Sequence, residues 1–502
     1  MSGRVADTDG QPIIGATIVA VHTPTGTQYA TASTRNGQFN LGGMRVGGPY
    51  DVEVSFIGCN TEKIEGIYLT IGEEATLDFV LREDSQSIGE VVVVGKANPV
   101  FNANRTGAQE VVTLEMMEKL PTTSRSLDEF VKLTPMSSGK NFAGTSYRFN
   151  NVTVDGASFN NSFGLSSALG AQGTEPISLE SIEQVQVMIA PYDVRNGGFT
   201  GGGINSVTKS GTNEWHASAY MYTKSPELQG HRVRDYVGQV SEFSNRQYGV
   251  SLSGPIVKNK LFFFVNGELD RQDEPISNRL ADSRVSAADL DDLAKFLGDQ
   301  FNYNPGGYDL SKTETRADRF TARIDWNIND RNTFSLKYYY LKSYNTNAPS
   351  TSGAPANGRG PNAYAMPFSS SYYRTNNNFN IVMADWNSTI NDHMSNTLKV
   401  GYSRLRDYRD MDGGFFPEVN IGQGNAVSPA QSTAFTTFGT EANSYNNLLY
   451  SDIYQIQDNF TWTVGDHQLV FGTQSDYRSF KNGFANSFAG QYQYQSIEDF
   501  YA

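Results

Sequence analysis

The stretch "DRFTARIDWNIN", residues 318–329, alternates apolar and polar side chains without a break. Its apolar residues are Phe320, Ala322, Ile324, Trp326 and Ile328, and its polar residues are Thr321, Arg323, Asp325, Asn327 and Asn329. A period of two is typical of a β-strand that has one apolar and one polar face. In an outer-membrane barrel the apolar face meets lipid and the polar face lines a wet lumen.

The same alternation continues from residue 214 onward, and the connections between the strands differ in length on the two sides. The short connections are "VKNK", "DRN", "NDHMS" and "GDH". The long connections run at roughly 225–245, 273–317, 346–374 and 411–450, and one of them contains an expected helix, "VSAADLDDLAKFLGD". Short turns alternating with long loops indicate an antiparallel transmembrane β-barrel. We expect about nine strands, with a tenth beginning at "QYQYQS".

The region before residue 214 has a different organisation. Residues 1–83 contain about seven short alternating segments with turn signals, which favours a β-sandwich. Residues 84–101 are predicted to be a linker, and residues 102–213 mix short helices, strands and a glycine-rich turn. The expected fold is therefore mainly β: a β-sandwich, an α+β domain, and the first nine or ten strands of a large barrel over residues 214–502.

The predicted barrel has too few strands to close around a domain of about a hundred residues. In lipid, each unpaired backbone group costs several kcal/mol, so an open edge is not tolerated. We therefore expect this chain to be C-terminally incomplete.

Composition excludes several classes of function. A formal charge of −14 repels phosphate backbones, so no nucleic-acid partner is expected. The single cysteine, Cys59, excludes an internal disulfide and any cysteine-based zinc site. The five histidines are scattered without ligand spacing, and no nucleophile–base grouping is legible. We predict no catalytic residue, no metal site and no cofactor, so the protein is not expected to be an enzyme.

Several motifs resemble one family. The segment "GRVADTDGQPIIGATI" resembles a carboxypeptidase-regulatory-like (transthyretin-like) domain, and "EVVVVGKA" is similar to the TonB-box region that follows such domains. The segments "NNVTVDGASFNN" and "PISLESIEQVQVMIAPYDVRNGGFTGGGINSVTKSGTNEWHASAYMY" resemble the plug and first barrel strand of TonB-dependent outer-membrane transporters of the Bacteroidetes Oar-like type. The chain lacks the corresponding motif of the SusC glycan importers, which weakens any inference of glycan cargo. The resemblance implies that residues 102–213 form a plug domain.

The resemblance also implies a coupling segment at Glu90, Val91, Val92, Val93 and Val94. In the family this segment hangs into the periplasm and pairs with an edge strand of TonB, and strand addition of this kind suits a run of β-branched residues. The alternative is that the four valines are the last strand of the sandwich or a strand of the plug. The sequence favours the coupling interpretation, because "TLDFVLRED" already ends the sandwich pattern.

The function implied by the resemblance is movement of a large ligand, a peptide, protein or oligosaccharide, through a plugged barrel energised by TonB. Ligand contacts are predicted at the plug apex, at Phe159, Asn160, Asn161 and Phe163, although these side chains would equally suit packing against the barrel wall. The alternative function is a surface adhesin, or an assembly or secretion platform that uses the long loops. The implied partners are TonB with ExbB–ExbD, membrane lipid and lipopolysaccharide, with a surface lipoprotein or other outer-membrane subunits as further candidates. The implied location is the outer membrane of a Gram-negative bacterium, with the N-terminal domain in the periplasm.

Overall fold

We describe the protein from a computed structural model. It describes residues 1–72, 74–83, 91–94, 108–120, 122, 125–134, 136–138, 141–160, 169–170, 174–191, 193–238, 240–276, 278–424, 433–465 and 467–502. No helix among these residues is long and apolar enough to cross a membrane.

The N-terminal region is a sandwich of two sheets. Its strands are β1 Ser2–Asp7, β2 Thr17–His22, β3 Thr27–Ala32, β4 Gln38–Asn40, β5 Gly47–Ser55, β6 Glu62–Leu69, β7 Phe79–Leu81 and β8 Val91–Val94. One sheet has the order β4-β1-β7 and the other the order β3-β2-β5-β6-β8. Alternate residues of the strands face each other across the sheets, and they bury a core that includes Val5, Ile18, Tyr50, Val52 and Phe79. The buried members of this core all lie within the first 81 residues, so the domain has a hydrophobic core of its own.

The second region packs against the inner face of the barrel sheet, and we call it the plug. Its elements are β9 Ala108–Thr113, α1 Leu114–Lys119, α2 Leu127–Val131, β10 Ser137–Ser138, β11 Asn141–Phe142, β12 Asn151–Val154, β13 Ala157–Ser158, β14 Ile182–Ala190 and β15 Gly203–Thr208. Five of its strands form a mixed sheet in the order β13-β12-β15-β14-β9. The core of this plug is continuous with the inner wall of the barrel, because Val185 and Phe130 belong to the same buried cluster as Leu341 and Ile381.

The remaining elements build the barrel and the loops at its outer end. They are β16 His216–Lys224, β17 Arg232–Val233, β18 Tyr236–Val237, β19 Ser244–Val257, β20 Leu261–Pro275, α3 Ala287–Phe301, β21 Lys312–Asn329, β22 Asn332–Asn347, β23 Tyr373–Asn391, β24 Met394–Asp410, β25 Glu418–Gly422, β26 Ala434–Phe438, β27 Leu448–Val464, β28 His467–Gly483, β29 Gln491–Tyr494 and α4 Ile497–Tyr501.

Nine of these strands form one antiparallel sheet. Its order is β16-β19-β20-β21-β22-β23-β24-β27-β28, and each strand pairs with its neighbour in this order. Short turns such as 330–331 and 392–393 join the strands at one end, and the long loops lie at the other end. The predicted partial barrel, with its alternation of short turns and long loops, is confirmed.

Inward and outward faces follow the parity of the sequence. On β21, Phe320 is 40% exposed, Ile324 40% and Trp326 41%, whereas Arg319 is 4% and Asp325 0% exposed. The apolar residues of the strand face the lipid side and the polar residues face the plug, as the period of two predicts.

The prediction that a tenth barrel strand begins at "QYQYQS" is wrong. Gln491–Tyr494 is extended, but it pairs in parallel with β25 in a separate three-stranded sheet of the order β26-β25-β29. This sheet packs with α3 around an apolar core that contains Leu293, Phe368 and Phe438. The segment after it contains the short helix α4. The long loops therefore form a folded cap at the outer end of the barrel.

Candidate functional site

The valine run forms a parallel pair with the sandwich. Val91 lies opposite Glu62 and Val94 lies opposite Glu65, so β8 extends the sheet beyond β6. This arrangement matches the alternative kept open for the valines, a strand of the sandwich. β8 ends the sheet order, so its other edge pairs with none of the described strands. The coupling role stays a prediction, and its first residue, Glu90, lies outside the described residues.

The plug meets the barrel wall at the "VDG" turn. Asp155 and Gly156 join β12 to β13, and their φ angles of 52° and 91° are those of a tight hairpin turn. Asp tolerates this left-handed conformation better than most residues. The turn places the Asp155 carboxylate inside the barrel, where the residue is only 5% exposed.

Four residues surround the Asp155 carboxylate. It accepts hydrogen bonds from the hydroxyls of Thr208 in the plug and Tyr339 on the barrel wall. Two cations of the wall lie farther away, with Lys337 Nζ at 3.7 Å and Arg323 Nη1 at 3.8 Å from Oδ1. Burial would raise the pKa of this carboxyl, but Lys337, Arg323 and the two hydroxyl donors hold it below its ordinary value. Asp155 is therefore a buried anion whose charge is matched by the wall.

The wall charges are themselves paired. The Arg323 guanidinium binds Asp325 in bidentate geometry at 2.8 and 2.9 Å, and it donates to the backbone carbonyl of Thr208 at 2.7 Å. Lys337 also donates to Asp385 on the next strand. Because bidentate and charge-assisted hydrogen bonds are both strong and directional, this network fixes the plug in one position.

The network receives a third cation from the N-terminal sandwich. Arg45 Nη2 lies 3.7 Å from Asp325 Oδ1, and Arg45 Nη1 donates to Ser210 Oγ at 3.2 Å. The guanidinium carbon also lies 5.8 Å from the ring centre of Phe262. The complete cluster has three carboxylates, Asp155, Asp325 and Asp385, and three cations, Arg45, Arg323 and Lys337. We call these six residues the plug-lock cluster, and their formal charges cancel.

A second group of polar contacts holds another part of the plug. Glu268 Oε2 on β20 accepts hydrogen bonds from Ser178 of the plug and from Tyr220 of β16, both at 2.7 Å. Arg319 binds Glu268 at 2.6 Å and donates to the backbone carbonyl of Glu175 at 2.6 Å. The plug is thus anchored by side chains from two separate regions of the wall.

The predicted ligand contacts at the plug apex have structural roles in this conformation. Phe159 is 2% exposed, and its ring makes edge contacts with Tyr339 at 5.7 Å and Phe379 at 5.5 Å. Asn160 accepts from the Val152 amide at 2.8 Å, and it donates within the plug. The contacts of Phe159 and Asn160 agree with the alternative that these side chains pack and bond locally. A ligand could contact Phe159 only after the plug has moved. Asn161 and Phe163 lie outside the described residues.

The outer cap contains its own buried ion pair. Arg359 and Glu418 have fully buried side chains, and Arg359 Nε lies 3.0 Å from Glu418 Oε1. The Arg359 guanidinium also donates to three backbone carbonyls at 2.8 to 2.9 Å. Because these donors and acceptors are matched, the cap is a defined surface and not a set of independent loops.

Comparisons with known proteins agree with this architecture. The family profile described as "Outer membrane beta barrel domain" matches residues 207–305 and 277–500, and "Carboxypeptidase regulatory-like domain" matches residues 1–82. The outer membrane transporter YddB from Escherichia coli has the same fold, with a TM-score of 0.52 at 15% identity. That alignment covers 74% of this chain and 48% of YddB.

Two curated relatives are TonB-dependent proteins. The TonB-dependent transporter Oar of Myxococcus xanthus is 26% identical over 276 residues, which are 50% of this chain and 25% of the relative. The probable TonB-dependent siderophore receptor PirA of Acinetobacter baumannii is 29% identical over 184 residues, 32% of this chain and 22% of the relative. The aligned parts thus span about a quarter of each relative.

These relatives confirm the prediction at the level of the family and of the outer-membrane location. They are transporters and receptors, in agreement with the expectation that the chain is not an enzyme. The finer assignment to the Bacteroidetes stays a prediction. The chain belongs to the outer membrane beta barrel domain family, carries a carboxypeptidase regulatory-like domain at its N-terminus, and is a relative of the TonB-dependent transporters.

Proposed function

We propose that the protein is a TonB-dependent transporter that moves a large ligand through the barrel when TonB pulls on the segment near Val91–Val94. The observation that carries this proposal is the plug-lock cluster. A plug held inside a barrel by six matched charges closes the pore at rest, and it opens only when work breaks those contacts. Breaking a buried ion pair typically costs about 3–5 kcal/mol, so an external energy source is required.

The valine strand supplies the point of attachment. Among the described strands β8 lies at the edge of its sheet, so one row of its backbone groups is open there to strand addition by a partner. TonB is the partner that the similarity to a TonB-dependent transporter supports. We propose that it is energised through ExbB–ExbD. A pull along β8 then reaches the plug through the chain that connects them.

The proposed ligand class rests on the resemblance to Oar-like transporters, and the folded outer cap offers a surface for capture. We propose a peptide, protein or oligosaccharide as cargo, with capture at the cap and passage past the plug. A surface lipoprotein or another outer-membrane subunit would complete the capture surface. The plug-apex residues would contact cargo after the plug has moved, when Phe159 leaves its pocket between Tyr339 and Phe379.

Binding of the purified periplasmic domain of TonB to the native protein tests the proposal. In a strand, alternate residues direct their amides to opposite edges, so Val92→Pro and Val93→Pro remove donors from different edges of β8. We expect at least one of the two substitutions to abolish TonB binding. If both variants bind as well as the wild type, the valines are not the coupling strand.

A matched control comes from Val194 in the plug. It is 89% exposed and follows Asp193 at the second position of a turn, a position that accepts proline. Val194→Pro introduces the same residue without touching a strand, and it should leave TonB binding unchanged.

A second function, a surface adhesin or an assembly or secretion platform, is favoured by the outer cap. The cap has an apolar core and a buried Arg359–Glu418 pair, whereas flexible capture loops need neither. Under this alternative the plug never moves. A disulfide that fixes the plug to the wall would then leave function in cells unchanged, and under the transport proposal it would abolish it.

A further inference from the structure

The N-terminal sandwich is bonded to the short-turn end of the barrel. Asn327 at the end of β21 donates to Thr27 Oγ1 at 2.7 Å, and Thr31 Oγ1 donates to the carbonyl of Asp392 in the β23–β24 turn at 3.3 Å. The amide of Asn213 donates to the carbonyl of Pro24 at 2.8 Å. Gly26 of the sandwich also lies against Asn259 in the β19–β20 turn. This turn and the β23–β24 turn are separated by four strand spacings, so the contacts extend over about 20 Å of the rim.

Arg45 reaches from this domain into the lumen. It lies in the connection between β4 and β5, and its side chain is 12% exposed where it approaches the fully buried carboxylate of Asp325. Asp325 already binds Arg323, and Asp155 takes part in the same cluster. The sandwich therefore supplies one of the charges that hold the plug.

The sandwich is also bonded to the plug directly. The side chain of Gln184 on β14 accepts from the amide of Ile71 at 3.1 Å, and it donates to the carbonyl of Leu69 at 3.2 Å. Leu69 ends β6, and β6 is the strand that pairs with the valines at its other end. A path thus runs from the valine strand by backbone pairing to the start of β6, along the chain of β6 to Leu69, and by hydrogen bonds to Gln184 in the plug.

We propose that the sandwich domain is a second gate of the pore, which closes the periplasmic mouth below the plug and is latched there by Arg45. The proposal rests on the proposed transport function, because a gate has a purpose only where cargo passes. A pull on β8 acts first on β6, so the sandwich leaves the rim before the plug moves. Removal of Arg45 from Asp325 then leaves the plug-lock cluster with one cation fewer, and this loosens the plug.

A reversible disulfide tests the gate. A Cβ at Gly42 would lie 3.4 Å from the Cβ of Ser395 at the start of β24, close to the separation found in disulfides. Gly42 does not have a left-handed φ, so it accepts a side chain without backbone strain. The pair Gly42→Cys and Ser395→Cys, in a Cys59→Ser background, would staple the sandwich to the barrel when oxidised and release it when reduced.

The readout is potassium conductance of the native protein in planar lipid bilayers, with Asp155→Ala used to loosen the plug. We expect Arg45→Ala to raise the conductance of the Asp155→Ala protein at least about tenfold, because loss of the Arg45–Asp325 contact frees the sandwich from the mouth of a pore whose plug is already loosened. Oxidation of the staple should reverse this increase, and a reducing agent should restore it. Arg4→Ala is the matched control, since the Arg4 side chain donates to the carbonyl of Gly10 and its amide to Asp78, both within the sandwich.

Hydrogen exchange separates undocking from misfolding. The Asn213 amide, which donates to Pro24, should exchange faster in Arg45→Ala while the amides of β2 and β5 keep their protection. The proposal is overturned if Arg45→Ala adds nothing to Asp155→Ala, or if the oxidised staple leaves the conductance high. TonB is absent from these measurements, so their failure is distinguishable from failure of TonB binding.

Discussion

The carboxylate of Asp155, in a turn of the plug, accepts a hydrogen bond from the hydroxyl of Tyr339 on the barrel wall. Both residues are buried, with exposures of 5% and 1%. The same carboxylate faces Lys337 and Arg323, so this one plug residue contacts three residues of the barrel wall. Buried charges that lose a partner are costly, and this makes Asp155 the residue whose loss should loosen the plug most.

Asp155→Asn should lower the free energy that holds the plug in the barrel by about 3 kcal/mol, because Lys337 and Arg323 lose a buried counter-charge. Hydrogen exchange of the β12 and β15 amides in lipid nanodiscs measures this loss. Asp193→Asn is the control, since Asp193 belongs to the plug but pairs locally with Arg195. Equal exchange rates of these amides in Asp155→Asn and wild type would contradict the hypothesis that Asp155 holds the plug in the barrel.

Lys337→Gln should destabilise the plug by a similar mechanism, because Asp155 and Asp385 lose their shared cation. In the double variant with Asp155→Asn, the effects should be less than additive, with a coupling energy of about 1–3 kcal/mol. The same exchange measurement on the two single variants and the double variant completes the cycle. Strict additivity would show that Lys337 and Asp155 act independently.

The inward placement of Arg323 and Asp325 was predictable from sequence. Their parity in "DRFTARIDWNIN" is that of the polar face, and short turns fix the register of a hairpin locally. Lys337 lies two residues from Tyr339 in "SLKYYYLK", so both side chains belong to the same face of the strand. The neighbouring aromatic residues make the alternation of polar and apolar residues less clear there. The local periodicity of the sequence therefore predicts the inward placement of most barrel residues of the plug-lock cluster.

The partners of isolated strands were not predictable in this way. "VVVV" and "QYQY" both form strands, yet the first pairs with β6 and the second with β25. A strand pattern specifies which residues are extended, whereas the neighbour depends on tertiary contacts that are distant in sequence. Arg45 is the clearest case, because its partner Asp325 lies in another domain and no local pattern connects them.

Phe159→Ala should cost about 3–5 kcal/mol of plug stability, because its ring fills a pocket between Tyr339 and Phe379 and its removal leaves a cavity. Phe149→Ala, at a plug position that is 57% exposed, should cost far less. Proteolysis of the plug in the two variants under identical conditions compares them. A Phe159→Ala protein that resists proteolysis as wild type does would return this residue to the ligand-contact hypothesis.

The stability of the sandwich should fall in mild acid because of His22. The residue is 6% exposed and its Nδ1 lies 2.6 Å from Thr25 Oγ1, while burial and the nearby Arg45 lower the pKa of His22 to about 3. The folded domain thus holds a neutral imidazole, and the unfolded chain binds a proton below its pKa of 6.5. This contribution is fully present above pH 6.5 and is lost as the pH falls toward 3.

Between pH 7.5 and pH 5 the loss should amount to about 2 kcal/mol, the free energy of protonating one group of pKa 6.5 in the unfolded state only. Urea unfolding of the excised residues 1–83 at the two pH values measures it, because that segment has its own core. His22→Gln removes the titrating group and should reduce the pH dependence by the same amount. If the variant keeps the full pH dependence, another group causes it and the imidazole is not the acid-sensitive element of this domain.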